Sequence, residues 1–231
     1  MYEHGQIPLQ TPARDVVEQL TLTQDLRYVF PANDEFGHAR LGSIGDITAH
    51  RASTTSSIIV EVPLDATLTG SVTFSSNASD SVDAAIWMSS VPHIDVEHVG
   101  IRKGGMISMP TSSTAILALD SPYVALPDEI FNVLLQATET SSERNYVVDC
   151  GLLSRFPDLV FGVDVDEAGE EDEDIEVQEM VVTPQQYVLE VEGQCSLLAR
   201  SAGSGRVAMG WAAFRGKKFV LDLGRGRFGL F

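Results

Sequence analysis

The sequence predicts an all-β protein. Short segments with β-branched or alternating apolar residues recur along its 231 residues, and Gly, Pro, Asn and Asp separate them. Helical periodicity is scarce. The composition, 44% hydrophobic and 21% charged, is that of a globular protein. Many short strands separated by turns favour a sandwich or barrel over a parallel α/β sheet.

The strands follow from the apolar segments taken in order. The predicted strands cover residues 16–22, 57–62, 70–74, 84–88, 94–101, 114–119, 145–148, 159–163, 187–191, 207–209, 219–223 and 227–230. A helix is predicted over 125–135, because Pro127 suits a first helical position and Asp128 and Glu129 favour the positive end of the helix dipole. A second, short helix is predicted after Pro184, as far as Tyr187.

The net charge of the chain indicates which kinds of binding partner to expect. Acidic residues outnumber basic ones by 33 to 15, which gives a net charge of −18. A nucleic acid or an anionic membrane needs a positive field, so we expect neither as a partner. No apolar run approaches the ~20 residues of a membrane span. Residues 1–8 lack the basic and apolar regions of a secretory signal, so the sequence as given indicates no export.

Two stretches are strongly biased in charge. Residues 164–179 hold ten carboxylates and are predicted to form a solvated loop; a calcium site is the alternative, although the EF-hand spacing is absent. From Arg200 onward the chain holds seven basic residues and one acidic residue, Asp222. These basic side chains are expected on the outer faces of strands, with a nucleic-acid patch as the alternative.

Other single features leave alternatives open. Cys150 and Cys195 are either one disulfide or two buried thiols. Asn77 begins a tripeptide of the N-glycosylation type. The five histidines are dispersed without a recognised metal spacing, and no dinucleotide fingerprint is present, so we expect no metal and no cofactor.

Four motifs occur in order in the second half of the chain. An apolar strand leads into Asp120, Ser121 and Pro122 and then a Leu-Pro; next come a cysteine and a Phe-Pro-Asp-Leu-Val-Phe segment. A Pro-x-x-Tyr segment with a second cysteine follows. The end has an apolar pair with Gly210, a Val-Leu-Asp strand and a Phe-Gly-Leu terminus. These motifs resemble those of the pepsin-like aspartic proteases. Upstream, the 87–105 segment resembles a hairpin of that family, and Tyr2 with Gly5 faintly resembles its flap.

The resemblance implies a pepsin-like fold with part of a first lobe over 1–68 and a complete second lobe over 69–231, enlarged by an acidic insertion at 164–179. It also implies a disulfide between Cys150 and Cys195. Asp120 would be the vestigial catalytic position, in an active-site loop with Ser121, Pro122 and Tyr123.

The loop departs from the family pattern. Aspartic proteolysis needs two carboxylates that share one proton, and the sequence holds one candidate, Asp120. Pro122 replaces the glycine whose N–H points at the carboxylate, and proline has no N–H. Tyr123 replaces a small hydroxyl residue. Asp120 is therefore expected to act as a turn or capping carboxylate rather than as a catalyst.

The functional expectation is an aspartic-endopeptidase relative that is defective in catalysis, whose cleft would bind a peptide or protein. Two alternatives stay open: a peptidase that obtains its second Asp by homodimerisation, and a non-enzymatic binding module. A monomer is expected rather than a dimer. The resemblance and the disulfide imply a secreted or vacuolar location for a longer form of the chain.

Overall fold

A computed structural model describes residues 57–65, 70–75, 86–88, 93–118, 121–165, 176–222 and 225–231. Several predicted features lie outside these residues: the strand at 16–22, the flap residue Tyr2, the glycosylation candidate Asn77 and the aspartate Asp120.

Strands dominate the described chain, as the sequence predicted. They are β1 Ser57–Val62, β2 Ser71–Ser75, β3 Ile86–Met88, β4 His93–Arg102, β5 Met106–Leu117, β6 Val124–Leu126, β7 Val147–Val148, β8 Asp158–Val165, β9 Glu176–Val182, β10 Val188–Val191, β11 Gln194–Leu197, β12 Ala199–Ser201, β13 Ala208–Met209, β14 Lys217–Asp222 and β15 Arg227–Leu230. The α-helices are α1 Asp128–Ala137, α2 Pro184–Tyr187 and α3 Trp211–Phe214. Two 3₁₀ turns span Ser142–Arg144 and Cys150–Arg155.

A seven-stranded sheet forms the largest unit, in the order β12-β6-β13-β5-β4-β8-β9. Strands β4 and β5 form a long antiparallel hairpin. Strand β8 pairs with the other edge of β4, and β9 pairs with β8, both antiparallel. The short strand β13 lies between β5 and β6, parallel to β5 and antiparallel to β6. A late segment of the chain is thereby inserted between two strands that are neighbours in sequence.

A five-stranded sheet has the order β2-β1-β14-β15-β3. Strand β1 belongs to the predicted 1–68 segment, yet it pairs on one side with β2 and on the other with β14, both from the predicted 69–231 segment. The described residues on the two sides of position 68 therefore share one sheet.

A three-stranded sheet, β10-β11-β7, carries the disulfide. Cys195 lies on β11 and Cys150 begins a 3₁₀ turn, with a Cα–Cα distance of 5.4 Å. The two cysteines are 45 positions apart in the sequence.

The core is apolar and continuous across these sheets. Phe214, Phe219 and Phe228 form an aromatic cluster with no exposed surface, whose ring centroids are 5.0–5.5 Å apart. Tilted ring pairs at this distance add to the free energy gained from burial. The cluster fixes α3 against the five-stranded sheet.

Several predicted boundaries differ from the observed ones. The predicted helix at 125–135 begins later, at Asp128, because Val124–Leu126 is a fully buried strand between β12 and β13 and Pro127 is extended, with ψ of 146°. Strand structure also extends into both ends of the predicted acidic loop, through Asp158–Val165 and Glu176–Val182, so the charged segment between them is 166–175.

Strand β5 begins at Met106, well before the predicted 114, because residues 106–110 pair with the end of β4, from Arg102 back to His98. The prediction missed the three short strands β6, β11 and β12 and the strand β9.

Candidate functional site

The loop after β5 is the candidate site. Strand β5 ends at Leu117, and the backbone N–H of Ser121 donates to the carbonyl oxygen of Ala118 at 2.9 Å. The N–H of Tyr123 donates to Ser121 Oγ at 3.3 Å. Ser121 is buried, while Pro122 and Tyr123 are partly exposed. The structure thus describes the active-site loop predicted from the sequence except for Asp120 itself.

Three successive carbonyl groups of the loop hold the start of α3. The N–H of Gly210 donates to Tyr123 O at 3.1 Å, that of Trp211 to Ser121 O at 2.9 Å, and that of Ala212 to Pro122 O at 3.1 Å. The first N–H groups of a helix have no partner within it and must be satisfied from outside. The loop supplies these acceptors, so its position and that of α3 are mutually fixed.

Gly210 makes this close approach possible. A Cβ atom at this position would lie 2.5 Å from Tyr123 O and closer still to Ser121 O. The fully buried Met209 precedes it on β13. The apolar pair followed by glycine therefore has a steric role here: the glycine leaves room for the loop that β5 delivers.

Pro122 and Tyr123 set the chemistry of the loop. Pro122 offers a carbonyl to Ala212 and, as a proline, has no N–H that could stabilise a neighbouring carboxylate. The partly buried Tyr123 packs against the hydrophobic core, and the guanidinium carbon of Arg200 is 5.6 Å from the centroid of its ring. Arg200 is exposed, so this cation–π contact is worth about 0.5–1 kcal/mol.

One group of potential metal ligands occurs within the described residues: Cys150, Glu190 and Cys195. The two sulfurs are bonded to each other, so neither is a thiolate that could bind a metal. The disulfide pair is the one that the family resemblance implied.

The acidic segment 166–175 lies in sequence between β8 and β9, whose last pair before the segment is Val165 with Glu176. Asp164 lies one residue before this pair. Burial, followed by the negative charges of Glu97 and Asp95 on β4, raises the pKa of the Asp164 carboxyl. Asp164 on β8 and the two carboxylates on β4 therefore lie on neighbouring strands of one sheet.

Two basic residues do not lie where the sequence placed them. Arg215 and Lys217 were expected on the outer face of strands, but both are partly buried. The Arg215 guanidinium donates to the carbonyl oxygens of Gln186, Val188 and Leu64 at 2.6–2.9 Å, and Lys217 Nζ donates to Val181 O at 2.7 Å. No pattern in the sequence separates these two residues from Lys218, which is exposed.

Comparison of the chain with models of known protein families gives no match, and no curated protein matches it. Among the described residues, no helix has the length and apolar character needed to cross a membrane.

Proposed function

We propose that this chain is a relative of the pepsin-like aspartic proteases that binds peptides without cleaving them efficiently. The main support is the loop Ser121–Tyr123, delivered by an apolar strand and seated against Gly210 after an apolar pair. The resemblance associates these two motifs, and here they lie in direct contact although almost ninety positions of sequence separate them. The disulfide between Cys150 and Cys195 is consistent with the same assignment.

The proposed loss of catalytic activity follows from two residues of the loop, Pro122 and Tyr123. An aspartic dyad requires hydrogen bonds that hold one carboxylate ionised while its partner stays protonated. Pro122 cannot donate from its backbone, and its carbonyl is already occupied by Ala212. Tyr123 puts a large ring where the family has a small hydroxyl. We therefore place Asp120 as a vestigial residue, with peptide contacts made by the surface around Tyr123 and Arg200.

The location proposed for a longer form of the chain is secreted or vacuolar. A disulfide persists in oxidising compartments and is rare in the cytosol. We propose a monomer, because the homodimeric alternative would need two copies of the Pro122 loop to form a working dyad.

An acid-pH proteolysis assay tests the enzymatic part. The purified chain, its Asp120→Asn variant and an Asp95→Asn control are incubated with an unfolded protein substrate, with and without pepstatin. We expect no cleavage above the background of the Asp120→Asn variant. Pepstatin-sensitive cleavage that disappears only in Asp120→Asn would overturn the proposed defect, and its dependence on the square of protein concentration would favour the homodimer.

Peptide binding is tested separately. A library of extended peptides is screened against the chain by isothermal titration, and the hits are repeated with Tyr123→Ala and with Lys103→Ala as a distant control. Binding that weakens at least several-fold in Tyr123→Ala alone supports the proposal. An absence of binders, or equal affinities for both variants, contradicts the location of the site.

A further inference from the structure

Glu190 and the two disulfide cysteines meet on the three-stranded sheet. In the antiparallel ladder between β10 and β11, Glu190 lies directly opposite Cys195, and the side chains of such opposed residues stand close together on one face of a sheet. Cys150 approaches from the 3₁₀ turn that it begins. The two Sγ atoms and a carboxylate oxygen of Glu190 all lie within 4.8 Å of one another. Three side chains that can bind a metal are thus gathered at one place.

This cluster is open to solvent on the side of the turn between β10 and β11. Cys195 is buried, but Cys150 is partly exposed and Glu190 is exposed. Gly193 in the turn is also exposed, and its carbonyl oxygen lies 3.8 Å from Cys150 Sγ. A cation or a small reductant can therefore approach the sulfur of Cys150 directly.

Hydrogen bonds other than the bridge itself hold the backbone around both cysteines. Cys195 lies on the middle strand β11, which pairs with β10 on one side and with β7 on the other. The turn at Cys150 is capped by Asp149, whose side chain accepts the N–H of Gly151 at 2.8 Å. Since these bonds do not depend on the S–S bond, we expect the Cα–Cα distance to stay near 5.4 Å when the bridge is opened.

Two thiolates and a carboxylate form a donor set that suits zinc. Zn²⁺ binds cysteine sulfur at about 2.3 Å and carboxylate oxygen at about 2.0–2.2 Å, in tetrahedral geometry. Two sulfurs bound in this way are about 3.8 Å apart, so the sulfurs of an opened bridge need only separate by rotation of their side chains. The soft thiolate ligands favour zinc over calcium or magnesium.

We propose that the reduced chain binds one zinc ion through Cys150, Cys195 and Glu190, so that the redox state of the cysteine pair controls the site. A dithiol reductant supplies two electrons and two protons to the S–S bond and becomes a disulfide itself. The two resulting thiols lose their protons to solvent as the two Zn–S bonds form, and the zinc stays divalent throughout. A water molecule completes the four ligands on the exposed side of the cluster.

Metal titration of the oxidised and the reduced chain tests this proposal. The full chain is reduced with a dithiol, separated from it by gel filtration without oxygen, and titrated with Zn²⁺ in competition with a coloured zinc indicator. We expect one zinc ion per reduced chain, with clearly weaker binding by the oxidised chain. Co²⁺ in place of zinc should give the visible absorption of a tetrahedral thiolate complex in the reduced chain only. Circular dichroism before and after reduction shows whether the sheets persist.

Glu190→Gln and Glu192→Gln are the matched variants, because both glutamates are exposed on the same hairpin and only Glu190 belongs to the cluster. Glu190→Gln should weaken zinc binding by at least about tenfold, since even residues that only support a metal ligand contribute that much. Glu192→Gln should leave the affinity unchanged, and Cys150→Ser should abolish the cobalt absorption.

Equal zinc affinities of the oxidised and the reduced chain would overturn the proposal, as would equal affinities of the two glutamate variants. Zinc binding of the same strength by the urea-unfolded, reduced chain would also contradict it, because the site depends on the fold to bring Glu190 to the cysteines. A reduced chain that loses its sheets and binds no zinc would overturn it as well.

Discussion

Trp211 donates its backbone N–H to the carbonyl oxygen of Ser121 at 2.9 Å, and this bond ties the candidate site to the start of α3. The two residues are ninety positions apart in the sequence. Their contact depends on β13, which carries the chain between β5 and β6 and delivers Gly210 to the loop. The conformation of the loop therefore depends on a tertiary contact, and a change in the loop or in the segment at Gly210 should disturb both.

Gly210→Ala is predicted to destabilise the protein. The added methyl group would overlap the carbonyl oxygens of Ser121 and Tyr123, both of which are backbone atoms held by hydrogen bonds. Overpacking of this kind costs about 1–3 kcal/mol. Urea unfolding measures the change.

Gly105→Ala is the control for this substitution, because a Cβ atom there meets nothing within 4 Å and the residue does not have a positive φ. Its free energy of unfolding should stay within about 0.5 kcal/mol of the original. Equal effects of the two substitutions would contradict the close approach at Gly210.

Tyr187→Phe is predicted to lower the free energy of unfolding by about 1–3 kcal/mol. The fully buried Tyr187 donates its hydroxyl to Pro157 O at 2.6 Å, and removing the donor leaves a buried carbonyl unsatisfied. Burial also raises the pKa of Tyr187 above its usual value, so the unfolded chain loses this proton first as pH rises past 10.

The original protein should therefore lose stability above pH 10 more steeply than Tyr187→Phe. Chemical unfolding at pH 7 and at pH 10.5 measures both effects. Parallel loss in the two proteins would show that the hydroxyl does not carry the alkaline effect.

The fold class and many strands could be predicted because they depend on local pattern. The β1 prediction, 57–62, and the β15 prediction, 227–230, agree with the structure to the residue, since each has a run of apolar residues bounded by turn residues. Strand β9 was missed because its charged residues resemble those of the segment before it. Its assignment depends on pairing with β8, and local sequence does not encode that pairing.

The candidate site was predictable only in part. The loop Ser121–Tyr123 and Gly210 were identified by motif, but a motif does not say which backbone atoms meet. In the sequence Arg200 is one of several basic residues with nothing to distinguish it, and the structure places its guanidinium over the Tyr123 ring. Lys217 is partly buried where its side chain reaches β9 of another sheet, and Arg215 where its guanidinium reaches α2, β10 and Leu64. Sequence spacing along one strand carries no information about such distant partners.

The burial of Lys217 predicts a pH dependence of stability. Its pKa is about 8 in the folded chain and 10.5 when unfolded, so between these values the unfolded chain binds more protons. Stability should therefore rise as pH increases through this window and be lost as pH falls through 8. Between pH 8 and 9.5 the original protein should gain about 1–2 kcal/mol relative to Lys217→Met.

Denaturant unfolding at half-unit pH steps checks this difference, with Lys218→Met as the control whose profile should run parallel to that of the original protein. The window ends below pH 10 to avoid the opposite contribution of Tyr187. A constant difference between the original protein and Lys217→Met from pH 8 to 9.5 would show that the Lys217 amine does not titrate there.

Arg227→Met is predicted to be among the most damaging single substitutions in the five-stranded sheet. Arg227 Nε donates to Asp222 Oδ2 at 3.1 Å, and its guanidinium carbon lies 3.8 Å from the centroid of the Trp87 ring. The Asp222 side chain is 1% exposed, so removing the arginine leaves a carboxylate buried without its counter-charge. Removing one partner of such a pair costs about 3–5 kcal/mol, whereas replacing both together costs much less.

The double variant Asp222→Asn, Arg227→Met should therefore recover part of the loss, because the asparagine can still accept the N–H of Arg225 that Asp222 Oδ1 now accepts at 3.1 Å. Urea unfolding of the original protein, the two single variants and the double variant gives the coupling energy. A loss below about 1 kcal/mol for Arg227→Met would mean that solvent reaches Asp222 and that the pair behaves as a surface ion pair.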